Sequence, residues 1–215
     1  MTRLRTWDAH LRGFYAILDR DDEALARTLV DPAGAGARVL QVRIKPAGAR
    51  AVLAAARMAR RVTREVGAML VVNDRLDLAL AVEADGVHLG QDDLAIADAR
   101  AVLAGRSLAI GVSTHDLAQV RAALAAGADY LGFGPVFTTA TKANPDPVVG
   151  LAGLTAAAAL ARASGVPLVA IGGITVEHGA AVCAAGADAA CAIAAVNGSP
   201  DPATAGRTLA AHWRA

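Results

Sequence analysis

Aromatic side chains are scarce: three Phe, two Trp and two Tyr make up 3% of a 215-residue chain that is 55% apolar. Its core must therefore be built from small aliphatic groups, which favours close helix–sheet packing over a loop-rich fold. Cysteine is nearly absent. Cys183 and Cys191 match no metal-ligand spacing, and buried free thiols are the expectation, one on a helical stretch and one on a strand. Net charge is only +1 and no basic stretch is interleaved with aromatics, which argues against nucleic acid as a partner. No uninterrupted membrane-length run occurs. Residues 151–174, the most apolar region, are broken by Arg162, Gly165 and Pro167. The opening M-T-R-L-R-T-W-D-A-H-L-R is too charged for a secretory signal. A soluble, cytoplasmic protein with small-molecule partners is expected, with homo-oligomerisation left open.

What is present is an alternation of short apolar runs and longer Ala-rich helical stretches. Strands are predicted at residues 14–18, 38–42, 68–72, 86–89, 108–112, 130–134, 166–171 and 189–193. Helices are predicted between them, including 21–30, one from about Pro46 to Glu65 closed by Gly67, 75–83, 94–103, 115–125 closed by Gly127, 150–163, 175–184 and 201–213. Continuous apolar strands indicate a parallel sheet buried on both faces. Eight strand–helix pairs in this length predict an α/β fold, a (β/α)₈ TIM barrel in one domain, with residues 1–12 a short N-terminal extension. A recurring A-D before the strands at 86, 130 and 189 is a weak quarter-barrel echo.

In such barrels the working groups sit on the loops after the strands. Gln41-Val42-Arg43-Ile44-Lys45 puts Gln41, Arg43 and Lys45 on one side of a strand end. Two cations there suit a polyanion, unless they are surface groups next to the following helix. Asn73-Asp74 and Asp92-Asp93 follow adjacent strands. Each aspartate has an alternative as a helix cap. On one rim, however, facing carboxylates repel unless a cation lies between them, and Mg²⁺ with substrate phosphate oxygens is the economical choice. His88 is either a hydrogen-bonded core histidine or a ligand-facing group. Ser113-Thr114-His115 offers a hydroxyl at Ser113 and an N-cap at Thr114. Thr138-Thr139-Ala140-Thr141-Lys142 suits a phosphate cover, or is a solvated loop. Ile171-Gly172-Gly173-Ile174-Thr175 and Ile193-Ala194 follow the last two strands, where backbone N–H groups commonly hold a phosphate.

Q-V-R-I-K, V-N-D-R-L-D-L-A-L, A-D-G-V-H-L-G-Q-D-D-L, G-V-S-T-H, G-P-V-F-T-T-A-T-K and A-I-G-G-I-T, in this order, resemble the thiamine phosphate synthase family from Tyr15 to about Val196. The resemblance implies a (β/α)₈ barrel that joins a pyrimidine diphosphate to a thiazole phosphate (or its carboxylate form), with Mg²⁺, releasing pyrophosphate. It implies that Gln41 reads the pyrimidine, with His88 a further possible contact. Arg43, Lys45, Asn73, Ser113 and Lys142 would hold the pyrimidine diphosphate, with Arg43, Lys45 and Lys142 catalytic. Asp74 and Asp93 would bind the metal. Thr139, Ala140, Thr141, Gly173, Ile193 and Ala194 would lie against the thiazole phosphate. Ala194 stands where many members have serine, and Leu18 precedes Asp19 where a threonine is common. A thiazole tautomerase on the same barrel and a non-catalytic phosphometabolite-binding barrel are the rival readings.

Overall fold

Successive strand residues point to opposite faces of a sheet, and here the two faces belong to separate cores. Tyr15, Ile17, Val39, Val71, Ala109, Tyr130, Val169 and Ala189 pack together inside. Phe14, Leu18, Leu40, Val42, Leu70, Val72, Leu131 and Leu168 pack outward against helix residues such as Leu29, Ala55, Ala59 and Leu154. Burial on both sides is why the strands read as uninterrupted apolar runs.

The computed structural model describes residues 7, 10–139 and 146–213. Its strands are β1 (Gly13–Phe14), β2 (Ala16–Leu18), β3 (Val39–Val42), β4 (Met69–Asn73), β5 (Gly86–Leu89), β6 (Ala109–Thr114), β7 (Tyr130–Phe133), β8 (Leu168–Ala170) and β9 (Ala189–Ala190). Every pairing is parallel, in the order β1-β9-β8-β7-β6-β5-β4-β3-β2. β1 and β2 are one extended stretch divided at Tyr15. The first part pairs with β9 and the second with β3, so the ladder runs around and closes the predicted barrel.

The A-D echo has a structural cause. Asp85, Asp129 and Asp188 each stand just before a strand and accept a backbone N–H from the first or second residue of the preceding strand. These are Leu70 at 2.9 Å, Ile110 at 2.7 Å and Leu168 at 2.8 Å. Their own N–H groups return bonds to the carbonyls of Leu70, Ile110 and Leu168. Arg60 adds an ion pair to Asp85 at 2.7 Å, and Arg100 one to Asp129 at 2.5 Å. Polar groups that a strand end would leave unpaired are thereby satisfied at three places around the barrel floor.

Helix ends follow local chemistry. Asp22, Asp116 and Asp201 cap helices Glu23–Val30, Leu117–Ala125 and Pro202–Ala210 by accepting an N–H three residues on. Gly67, at φ 71°, closes helix Ala49–Val66 in the left-handed conformation that glycine adopts freely. That helix begins at Ala49 rather than at Pro46, because residues 45–46 form a bend and extended Gly48 is the cap. Thr114 is no cap: its Oγ1 donates to the Gly132 carbonyl at 2.9 Å inside the sheet, and Asp116 takes the capping role. The predicted last strand is cut short at Ala190. Ile193–Asn197 is a short helix instead, anchored by Asn197, whose Nδ2 donates to Ile17 O and to Asp19.

Within the predicted extension, Trp7 and Leu11 are buried. The Trp7 ring stacks on Tyr130 with centroids 5.7 Å apart and closes the N-terminal end of the barrel. Cys191 is buried and Cys183 half-buried, and both are free thiols. Burial pushes the Cys191 thiol up to about 12. No described helix is long and apolar enough to cross a membrane.

Candidate functional site

The C-terminal ends of β3 to β6 bring Arg43, Lys45, Asn73, Asp74, His88, Asp93 and Ser113 to one rim. Asn73 and His88 are register partners, as are His88 and Gly111. Directly after β4 the chain turns sharply: Arg75 N–H bonds to Asn73 O at 2.7 Å, and Asp74 takes φ 61°. A non-glycine residue there is uncommon, and aspartate is among those that tolerate it best. Its N–H bonds to His88 O at 2.8 Å, and its carboxylate meets Lys45 Nζ at 2.6 Å.

Neither aspartate caps its helix. Arg75 precedes helix Leu76–Ala81 and Ala95 precedes Ile96–Leu103, both without a side-chain cap bond. Asp93 instead folds back on its own loop, its Oδ2 accepting Gly90 N–H at 2.6 Å. Burial raises the Asp93 carboxyl above its ordinary range. The Gly90 N–H pulls it back, the adjacent Asp74 carboxylate raises it again, and the Lys45 ammonium opposes that. Two neighbouring carboxylates, one of them paired with the Lys45 ammonium, therefore form a site short of positive charge. Among the described residues no group of three or more His, Cys, Asp or Glu converges as a metal cage. The pair fits a hard cation that takes its other oxygens from a phosphorylated ligand.

Deeper in, Gln41 is buried and its Nε2 donates to the Tyr15 phenol at 2.8 Å. Tyr15 and Tyr130 touch through their phenol oxygens at 3.0 Å. His88 lies between Tyr130, 3.0 Å from Nδ1, and Ser113, 2.9 Å from Nε2. Burial holds the His88 imidazole down at about 4; the Asp74 charge opposes this and Arg43 adds to it. It is neutral at physiological pH. Arg43 directly follows β3, its N–H bonded to Leu18 O at 2.9 Å, and its charge is felt at both His88 and Cys191. Burial raises both phenols, so they keep their protons. Glycines make room for these rings: a Cβ at Gly111 would stand inside the Tyr130 ring, and one at Gly132 would press on His88 Cε1 at 3.1 Å.

The loops after β7 and β8 meet each other. Val136 and Phe137 N–H groups bond to Ile171 O and Gly172 O at 2.9 Å. Gly173, at φ 66°, lies so close to Phe137 and Thr138 that any side chain would overlap their backbone. Phe137 stacks on His178 with centroids 3.8 Å apart. Thr139 is half-buried at the end of this stretch, while Ala140, Thr141 and Lys142 lie outside the described residues. Ile193 and exposed Ala194 follow β9 as expected, but they open a short helix, so Ile193 does not end the strand.

Three contacts were not anticipated from the sequence. His115 touches both stems of the loop after β7, with Nδ1 2.6 Å from Gly134 O and Nε2 3.5 Å from Asp146. Gln91 Nε2 donates to Ser113 O at 2.6 Å, tying the Asp93 loop to β6. The two tyrosines join Gln41 to His88. Both tyrosines face the barrel interior, a placement that uninterrupted apolar strands do not mark in the sequence.

A closed parallel barrel with cations, paired carboxylates and glycine loops on its C-terminal rim has the architecture of a (β/α)₈ enzyme, with its polar groups where such enzymes carry their active sites. Residues 14–196 match the family model described as thiamine monophosphate synthase. The chain is 48% identical over 209 residues to a thiamine-phosphate synthase of Anaeromyxobacter dehalogenans, covering 96% of this chain and 90% of that one. It is 45% identical to another from Chloroflexus aurantiacus, covering 82% and 79%. Among solved structures, thiamine phosphate pyrophosphorylase from Pyrococcus furiosus superposes with a TM-score of 0.81 at 36% identity, covering 93% and 94%. The chain belongs to the thiamine monophosphate synthase family and is an enzyme, a transferase of thiamine biosynthesis.

Proposed function

We propose that the protein condenses 4-amino-2-methyl-5-(diphosphooxymethyl)pyrimidine with 4-methyl-5-(2-phosphooxyethyl)thiazole or its carboxylate form, giving thiamine phosphate and pyrophosphate. The observation that carries this reading is the charge arrangement at one rim: Lys45 Nζ 2.6 Å from Asp74, with Asp93 adjacent and Arg43 directly after β3. A bare carboxylate pair is a poor anion site, but a pair that shares a cation with a diphosphate is a good one.

Asp74 and Asp93 would hold Mg²⁺, which when bound supplies Lewis-acid stabilisation of the diphosphate. Arg43, Lys45 and, from its sequence motif, Lys142 would meet the charge that grows on the departing diphosphate, the kind of preorganised electrostatic effect that dominates many rate enhancements. Asn73 and Ser113 would donate hydrogen bonds to the same group. Gln41 would read the pyrimidine ring, with neutral His88 beside it. The C–O bond breaks ahead of C–N bond formation, the electron-rich aminopyrimidine carries the cation, and the thiazole nitrogen captures it. No side chain needs to act as nucleophile. The thiazole phosphate would rest on backbone at Gly173, Ile193 and Ala194, against Thr139, Ala140 and Thr141. At Ala194 only the main chain is on offer.

The test is direct. Purified protein with both substrates should release pyrophosphate and form thiamine phosphate with Mg²⁺ and not after chelation. Isomerisation of a thiazole phosphate without pyrophosphate release would replace this reading with the tautomerase one.

A further inference from the structure

Five polar side chains cross the barrel interior in one line of hydrogen bonds: Gln41, Tyr15, Tyr130, His88 and Ser113. Gln41, Tyr15 and Tyr130 are 2%, 3% and 1% exposed, so solvent does not complete their bonding. Counting hydrogens then gives the line a direction. Tyr15 accepts from Gln41 Nε2, and its own hydrogen goes to the Tyr130 oxygen. With Gln41 Nε2 facing Tyr15, the reverse sense would leave a phenol hydrogen buried without an acceptor, which is costly. Tyr130 in turn donates to His88 Nδ1. A neutral imidazole has a single N–H, now on Nε2, and it points at Ser113 Oγ 2.9 Å away. Ser113 accepts that bond and keeps its own hydrogen for a different partner.

The direction matters because a diphosphate only accepts hydrogen bonds. With the line reversed, Ser113 would spend its hydrogen on His88 and turn lone pairs toward the anion. We propose that Tyr15 and Tyr130 are positioning residues that, through His88, fix Ser113 as a hydrogen-bond donor to the departing diphosphate. This rests on the reaction proposed above. The Gln41 amide sets the sense of the relay, and the glycines at 111 and 132 give it space.

Nitrogen-15 NMR of ligand-free protein reads the relay without substrate. His88 should be the Nε2–H tautomer, and an Nδ1–H tautomer would overturn the proposal. Tyr130→Phe removes the phenol while keeping the ring that stacks on Trp7. It should leave His88 as a mixture of tautomers and lower kcat by about tenfold, the worth of roughly one hydrogen bond, with a smaller change in KM for the pyrimidine diphosphate. In a Ser113→Ala background the same substitution should have no further effect on kcat. Losses that multiply instead would mean a merely structural role, and would overturn the proposal. Tyr15→Phe, run through the same cycle, serves if Tyr130→Phe does not fold. Failure of the wild-type protein to form thiamine phosphate would sink the reaction and leave the tautomer result standing.

Discussion

Lys45 and Asp74 join the loops after two neighbouring strands through a contact of 2.6 Å, and Asp93 stands next to them with its carboxyl raised. The lysine is half exposed and the aspartate less so, at 53% and 23%. A pair this wet contributes little to stability, about 0–1 kcal/mol. Lys45→Met should therefore leave the melting temperature nearly unchanged while lowering kcat by about a hundredfold, the scale seen when one charge-stabilising donor is removed. A loss of both together, in steady-state assays and thermal melts, would point to scaffolding.

Asp93 gives the complementary case. Its carboxylate is disfavoured by burial and by Asp74, and an asparagine could still accept the Gly90 N–H. Asp93→Asn should melt at or above the wild-type temperature without divalent ions, lose the stabilisation that Mg²⁺ plus pyrophosphate gives the wild type, and lose turnover. Calorimetric scans with and without the two ligands check all three.

His88 makes stability depend on pH. Its folded value, about 4, lies below the ordinary 6.5, so the folded state takes up its proton later than the unfolded chain does. The stabilisation is complete above pH 6.5 and is lost as the pH falls toward 4, on the order of 3 kcal/mol in all. Urea titrations over that window should show the decline, and His88→Gln should flatten it.

The carboxylates on the barrel floor differ in burial. The Asp129 side chain is 8% exposed and Asp85 27%. Removing either leaves a backbone N–H without its acceptor, which costs more where water is excluded, and takes the charge partner from an arginine, although Arg100 keeps the Leu108 and Gly127 carbonyls. Asp129→Ala should lose about 2–4 kcal/mol in chemical denaturation, and Asp85→Ala distinctly less. Kinetic constants of the protein that remains folded should be unaltered, because this end lies opposite the rim.

Strand positions, the barrel and the rim location of Arg43, Lys45, Asp74 and Asp93 were legible because alternation of short apolar runs with Ala-rich helices leaves few other folds. Less was legible inside. A strand buried on both faces carries no polar alternation to mark its inward side, so Tyr15 and Tyr130 read as ordinary strand aromatics. The space glycine leaves at Gly111 has meaning only once its register partner Tyr130 is known. Capping and metal binding were equally consistent with Asp74 until its dihedral angle showed that it precedes the cap. Ile193 read as the end of a strand, and the helix Ile193–Asn197 was missed, because I-A-A-V-N is too short to display a helical period.

Trp7, laid flat on Tyr130, makes the barrel a cup rather than a tube. Among the described residues, the floor is plugged by aromatic rings, so ligands would be exchanged on the side that carries Arg43, Lys45 and Asp74.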